Sequence, residues 1–294
     1  MAKYGKIVAL VAIVALMASS LALAGCSTPA PAPTPAPTTS TPAPAATGIK
    51  STDDLKSGDR VGVQSGTTGE KWVKDNLVPK GIVSVPFDDV LAAFQALQAG
   101  DVKGVVNDMP ISLDVAKDPA RGLAVVQEIK TNEAYGFAFN KKNTALRDAV
   151  NYGLAQVISS GEYATIYKKW FAAEPPSLPT LTSNAAKPAS LPKTLKSGTI
   201  VVGSDTAFPP FENVENGTTV GFDVDLVAAI AKTVGLKSEF KTFKFDALIT
   251  GLQTGSEFDM TASAMTITAD RAKQINFSDP YINSNQSLTV KKAQ

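Results

Sequence analysis

Two stretches of this 294-residue chain repeat each other in the same order. The first reads Leu55-Lys56-Ser57-Gly58, then a strand-like run Arg60–Gln64, then Ser65-Gly66-Thr67. The second reads Leu195-Lys196-Ser197-Gly198, a strand-like run over 199–203, then Ser204-Asp205-Thr206. Further along, Leu97-Gln98-Ala99-Gly100 closes a helical pattern ahead of a strand over 104–107, and Leu252-Gln253-Thr254-Gly255 closes another ahead of 258–262. A glycine just past a helix is the expected stop. One short motif rich in Ala, Leu and Gly recurs by chance; two matched pairs in one order are harder to dismiss. Repeated strand–helix–strand units predict an α/β fold of two lobes, each a mixed sheet flanked by helices. In such sheets ligands gather beyond the carboxyl ends of the strands.

Composition narrows the chemistry. There is no histidine, which excludes Ser-His-Asp and Cys-His catalysis and argues against a zinc site. A net charge of +1 gives no reason to expect nucleic acid. The single cysteine, Cys26, follows Lys3, Lys6 and an apolar run over 7–24. That run suits either a cleaved export signal or a membrane anchor, and the small residues before Cys26 favour cleavage. Leu23-Ala24-Gly25-Cys26 resembles a bacterial lipobox, which implies a signal over residues 1–25 and a lipidated Cys26 anchored in a membrane. The alternative is a plain signal peptide with an incidental cysteine. Residues 26–48, alternating Pro with Ala and Thr, predict an extended spacer.

A second proline-broken linker spans 175–190. Before it, Leu146, Val150, Leu154 and Val157 line one predicted helix, and a second ends in Tyr167-Lys168-Lys169-Trp170-Phe171. After it, Ile200-Val201-Val202-Gly203-Ser204-Asp205 opens a loop carrying Phe208. Gly221-Phe222-Asp223-Val224-Asp225 then leads into a helix with Phe222, Leu226, Ile230 and Val234 on one face. This strand–loop–helix resembles the opening of a mature polar amino-acid-binding protein of ABC importers (family 3 extracellular solute-binding proteins, type II periplasmic-binding fold). In that family a Tyr-Lys-Lys-Trp-Phe helix ends the chain. The resemblance therefore implies a circularly permuted order: 49–131 as lobe 2, 132–174 as the closing helices of lobe 1, 175–190 as a joining linker, and 191–294 as the opening part of lobe 1. On this reading one crossing between lobes survives near 135–139, and the other is cut between Lys292 and Gly48.

The same resemblance assigns a ligand site. Thr266-Ile267-Thr268-Ala269-Asp270-Arg271 resembles the family's Thr-x-Thr-x-x-Arg element, which implies that Arg271 grips an α-carboxylate bidentately. Ala264, Thr266 and Thr268 are carried over with it. Gln64-Ser65-Gly66-Thr67-Thr68 runs into a helix whose first amides suit a carboxylate, with Thr67 and Thr68 there. Asp108 corresponds to the acceptor of the α-ammonium. Phe208 and Phe245 correspond to an aromatic sandwich around the ligand side chain, with Asp205 and Gln64 at its far end. Each residue also has a plain reading: Arg271 on a surface helix, Thr67 as a cap, Asp108 in a turn, the phenylalanines in the core.

The implied function is an extracytoplasmic, lipid-anchored, monomeric protein that captures a polar L-amino acid and passes it to an ABC permease. Arginine is favoured, with glutamine or lysine/ornithine next, because Asp205 lacks a neighbouring lysine. No enzyme activity, metal or other cofactor is implied. The alternatives are a dehydratase-like enzyme on the same fold, or a surface lipoprotein that senses amino acids.

Overall fold

A computed structural model describes residues 48–292. The expected export signal, Cys26 and the proline-rich stretch up to residue 47 lie outside the described residues. Among the described residues no helix is long and apolar enough to cross a membrane.

The chain enters one lobe through β1 (Arg60–Gln64), buried along all but its first residue. Next come α1 (Thr68–Asn76), β2 (Val83–Phe87), α2 (Val90–Ala99), β3 (Gly104–Asp108), α3 (Met109–Lys117) and the long β4 (Leu123–Tyr135). Asp89 caps α2 by accepting from the Ala92 amide at 2.8 Å. At its other end Gly100 takes the left-handed conformation and its N–H closes on the Ala96 and Leu97 carbonyls. Gly255, its counterpart in the repeat, ends a helix in the same way.

The chain then crosses to the other lobe. There it builds β5 (Ala138–Phe139), α4 (Thr144–Ser159) and α5 (Glu162–Phe171), which together hold the two apolar stripes read from the sequence. After the linker come β6 (Thr199–Ser204), a small meander of β7 (Ala207–Phe208), β8 (Glu212–Glu215) and β9 (Thr218–Val220), and α6 (Phe222–Thr233). β10 (Lys237–Thr242), α7 (Leu248–Thr254), β11 (Met260–Thr261), α8 (Ala269–Gln274) and β12 (Asn276–Phe277) complete the lobe. Phe222, Leu226, Ile230 and Val234 are all buried, as their spacing requires. Burying such side chains stabilises the lobe by roughly 1.5–3 kcal/mol each.

The last strand, β13 (Ile282–Lys291), returns to the first lobe. Among the described residues the first sheet therefore runs β2-β1-β3-β13-β4 and the second β10-β6-β11-β5-β12. Each is the same pattern: a parallel trio, then an antiparallel strand supplied from across the gap, then an edge strand.

This topology changes two expectations. Residues 282–291, expected with the rest of 191–294, pair with β3 and β4 in the other lobe, and 132–135 are the end of β4. Neither crossing is cut. Both are continuous among the described residues, side by side: Tyr281 N–H donates to the Tyr135 carbonyl at 2.9 Å and Ser278 N–H to Phe137 at 2.8 Å. The sequence placed the break at a crossing, whereas Lys292 closes on the Gly122 carbonyl at the far end of β13.

The 175–190 linker forms no helix or strand, as its prolines dictate, but it is held. Thr182 and Ser183 direct both hydroxyls and both amides at the Asp279 carboxylate, beside the second crossing. These bonds outweigh burial, which acts the other way, and hold Asp279 below the usual carboxylate range.

Candidate functional site

The two crossings form the floor of a cleft, and the carboxyl ends of both parallel trios face into it. β1 ends at Gln64 and turns into α1. Thr67 caps that helix, accepting from Glu70 N–H at 3.1 Å while donating to the Gln64 carbonyl at 2.7 Å. Its side chain is thus committed to the turn. In the opposite lobe Thr268 caps α8 by accepting from Arg271 N–H at 3.2 Å.

That cap fixes the origin of the Arg271 side chain. Its guanidinium turns back, Nη1 donating to the Thr266 carbonyl at 2.9 Å and Nη2 crossing to the Gly66 carbonyl at 3.0 Å. The guanidinium lies over the Phe245 ring, 5.3 Å from its centroid. Burial lowers the Arg271 pKa, opposed by the charges of Asp108 and Glu133.

Those carboxyls form the second part of the site. Asp108 Oδ2 accepts from Tyr135 Oη at 2.6 Å, and Oδ1 from Gln286 Nε2. Gln286 Nε2 also reaches Glu133 Oε1 at 2.9 Å and Thr68 Oγ1 at 3.3 Å. Glu133 Oε2 accepts from Thr68 of its own lobe at 2.7 Å and from Thr266 of the other at 2.5 Å. One carboxylate thereby holds the two lobes together. Burial, followed by the charge of Glu133, pushes Asp108 up to about 7.

The third part is the far wall. Gln64 Nε2 donates across the gap to Asp205 Oδ2 at 2.5 Å and to the Asp88 carbonyl at 3.3 Å. Gln64 Oε1 is buried with no partner among the described residues. Burial pushes Asp205 up to about 6. Lys244 pairs with Asp89 across the lobes at 3.7 Å. Phe208 rests on Phe211 with centroids 6.3 Å apart and belongs to the main core, whereas Phe245 carries Arg271. Ala264 sits at φ 44° with its N–H donating to Asp223 Oδ2 at 3.1 Å.

Gln64, Thr68, Asp108, Asp205, Phe245, Thr266 and Arg271 thus converge, while Thr67 and Thr268 act through backbone and caps. Sequence reasoning missed Glu133, Tyr135 and Gln286. The signal for the first two was their spacing: two apart on one strand, they point to the same face.

The sequence profile of the bacterial extracellular solute-binding proteins, family 3, matches residues 49–173 and 200–294. The chain belongs to this family. The arginine-binding extracellular protein ArtP of Bacillus subtilis is 39% identical over 93 residues, 32% of this chain and 36% of that protein. The L-cystine-binding protein TcyJ of Escherichia coli is 34% identical over 126 residues, 43% of this chain and 46% of that protein. A solved structure of an ancestral arginine-binding protein bound to arginine shares 52% identity over 28% of this chain and 37% of that one, with a TM-score of 0.27. In each of these matches the chain spans less than half the length of the relative.

Proposed function

We propose that this solute-binding protein captures a cationic L-amino acid, arginine first, and delivers it to an ABC permease from a lipid anchor at Cys26. The observation that carries the ligand is a charge imbalance. Three carboxyls of the proposed site, Asp108, Glu133 and Asp205, are buried against one buried guanidinium, Arg271, which Asp108 and Glu133 alone reach. A zwitterion with a neutral side chain leaves that excess in place. A ligand with a second positive charge reduces it, and burying charge is tolerable only when it is paired. At the far wall Asp205 and the unpartnered Gln64 Oε1 offer acceptors that suit the many donors of a guanidinium, although Lys244, expected to be absent there, lies near enough to act on Asp205 while it pairs with Asp89. The names of arginine-binding relatives point the same way.

Arg271 and the first amides of α1 take the α-carboxylate; Asp108, Thr266 and the Ala264 carbonyl take the α-ammonium; Phe208 and Phe245 flank the side chain. Glutamine, lysine and ornithine rank behind arginine. The Glu133–Thr266 and Gln64–Asp205 bonds join the two lobes across the site, so a ligand enters as those bonds part.

The permuted order belongs to the same reading. What supports it is that both ends of the described chain meet β4: Thr52 N–H donates to Gln127 Oε1 at 2.7 Å and Lys292 to Gly122. The dehydratase alternative needs an acid near the scissile carbon and has less need for an ammonium clamp beside Arg271. A thermal-shift panel of the common amino acids plus ornithine is expected to show its largest stabilisation with arginine. Leadership by leucine or an acidic amino acid sinks the assignment. Mass spectrometry of the N-terminal peptide tests diacylglycerol on Cys26.

A further inference from the structure

Behind the cleft, Glu212 of β8 and Asp223 of α6 are both fully buried. The backbone forces them together. A Cβ at Gly221 lies 2.0 Å from the Phe211 carbonyl oxygen, so only glycine fits there. Its neighbours then dock on the preceding loop, Phe222 N–H on Pro210 at 2.9 Å and Asp223 N–H on Phe211 at 3.0 Å. Glu212 Oε2 and Asp223 Oδ1 are each buried with no other partner among the described residues, on backbones that touch at Gly221, where a Cβ would lie 2.7 Å from Glu212 Cα; the partner left to each is the other carboxyl. Their other oxygens face the site. Glu212 Oε1 accepts from Ser263 Oγ at 2.9 Å, and the Asp205 N–H donates to that same Oγ at 3.0 Å. Asp223 Oδ2 accepts from the Ala264 N–H at 3.1 Å and from Tyr281 Oη at 2.8 Å.

A hydrogen bond between two carboxyls needs a proton, since two buried carboxylates in contact repel. The groups around the pair supply no cation. They are Asp205 after β6, Tyr281 before β13, Tyr163 on α5 and, beyond Tyr281, Tyr135 on β4. Burial raises both Glu212, with the charge of Asp223 behind it, and Asp223 above the usual carboxylate range, so the pair keeps a proton between them. Ala264 gives the arrangement its purpose. A non-glycine residue at φ 44° persists only where its surroundings hold it, and its amide is held by Asp223.

We propose that the proton-sharing Glu212–Asp223 pair is a positioning unit for the ligand cleft. It fixes Ala264 and, through Ser263, the Asp205 loop, and it ties both to Tyr281 at the second crossing. Neither carboxyl touches the ligand. The proposal rests on the binding reading of the cleft, so one arm of its test needs no ligand.

The test compares the wild-type chain with Glu212→Gln and Glu212→Met. Glutamine donates to Asp223 and accepts from Ser263 without a titrating proton; methionine does neither. Calorimetry with arginine at neutral pH is expected to show a loss of about tenfold or more for Glu212→Met, rescued to within about threefold by Glu212→Gln. In alkaline solution wild type is expected to lose affinity faster than Glu212→Gln. The ligand-free arm follows the Ala264 amide by NMR: its shift titrates with the pair in wild type and stays flat in Glu212→Gln. Identical alkaline titration of that amide in both proteins overturns the proposal, as does wild-type affinity in Glu212→Met. Where Glu212→Met fails to fold, the comparison of wild type with Glu212→Gln decides alone. Where no amino acid binds wild type, the binding reading fails and the amide titration still decides the positioning role.

Discussion

Both lobes bury acids away from any lysine, and they satisfy them differently. In the lobe of β6, Glu212 and Asp223 lie behind the cleft wall, bonded to Ser263, Ala264 and Tyr281, and the proton we propose they share needs no ligand. In the lobe of β1, Asp108 and Glu133 stand on the cleft floor, held apart and bridged by the one amide of Gln286. The first arrangement is scaffold. The second lies within reach of the Arg271 guanidinium and, on the proposed function, takes the ligand's ammonium group. The lobes differ in build for a related reason. β4 and β13 run for 13 and 10 residues and carry Glu133, Tyr135 and Gln286 up to the gap. Their counterparts β5 and β12 have two residues each, and their lobe relies instead on a cluster around Phe211, Phe222 and Tyr281 packed under α5 and α6.

The largest effects belong to the charged members of the open site. Arg271→Met removes the guanidinium that joins the Thr266 and Gly66 carbonyls and faces the ligand carboxylate. Breaking such a pair costs about 2–5 kcal/mol, so arginine affinity is expected to fall by roughly thirtyfold or more in calorimetry. Asp108→Asn is expected to lose about tenfold or more, since Tyr135 and Gln286 still occupy the amide. Unchanged affinity in either variant removes that residue from the site and weakens the contrast between open and closed acid pairs.

The next effect is pH dependence. Without ligand, burial raises Asp108 to about 7 and Asp205 to about 6, both above the unfolded value of 3.8. Raised carboxyls stabilise the empty protein fully below that unfolded value, and the contribution disappears as pH rises through the folded values. A bound cation favours the ionised forms, so binding expels protons. Arginine affinity is therefore expected to weaken as pH falls below about 7, by up to about tenfold per unit, and calorimetry in buffers of different ionisation enthalpy counts the protons released. A flat affinity across that range breaks the claim that Asp108 awaits a cation.

Much of this was legible in the sequence. The paired Leu-Lys-Ser-Gly and Leu-Gln-x-Gly motifs located the equivalent strands and helix ends of the two lobes, because caps and stops are local physics. Arg271, Thr266 and Asp108 were named through the resemblance of their motifs to the family's ligand-binding elements. Glu133 and Gln286 were not, because Lys130-Thr131-Asn132-Glu133 and Asn283-Ser284-Asn285-Gln286 read as polar surface. Their burial comes from pairing between β4 and β13, a contact between residues 153 apart in the case of Gln286 and Glu133. The lobe of β13 was missed for the same reason: a strand's sheet is chosen by its partners, and periodicity does not name them. Phe208 shows the converse, an aromatic in a Pro-Pro loop whose ring also rests on the core at Phe211.

A smaller effect separates the two crossings. The second is clasped by the linker through Asp279; the first has no such clasp among the described residues. Thr182→Val with Ser183→Ala removes two hydroxyl bonds to a carboxylate, and chemical denaturation is expected to show a loss of about 1–3 kcal/mol with little change in arginine affinity. Because Asp279 is held below its unfolded value of 3.8, its contribution is present above that value and fades as pH falls through the folded one. The difference between wild type and double variant should therefore shrink in acid. A difference that grows in acid means the clasp is not made by the ionised carboxylate.

The smallest expected effect comes from chain order. Placing residues 191–292 ahead of 48–174 removes the 175–190 linker and joins Lys292 to Gly48, both at the sheet of β4. None of the proposed ligand contacts lies in either junction. With one crossing cut, the native order would pay an extra entropic cost on closure, and the rebuilt chain would bind tighter. The structure removes that difference, since 135–138 and 277–282 are continuous in both orders. Arginine affinity is expected to agree within about threefold, and small-angle scattering should show the same compaction with ligand. What changes is the clasp: the rebuilt chain lacks residues 175–190, and with them Thr182 and Ser183, so stability should drop toward that of the double variant. A rebuilt chain that folds but does not bind would mean that the two segments are not rotated parts of one pair of lobes. One that binds several-fold more tightly would mean that the linker, through Asp279, resists closure of the second crossing.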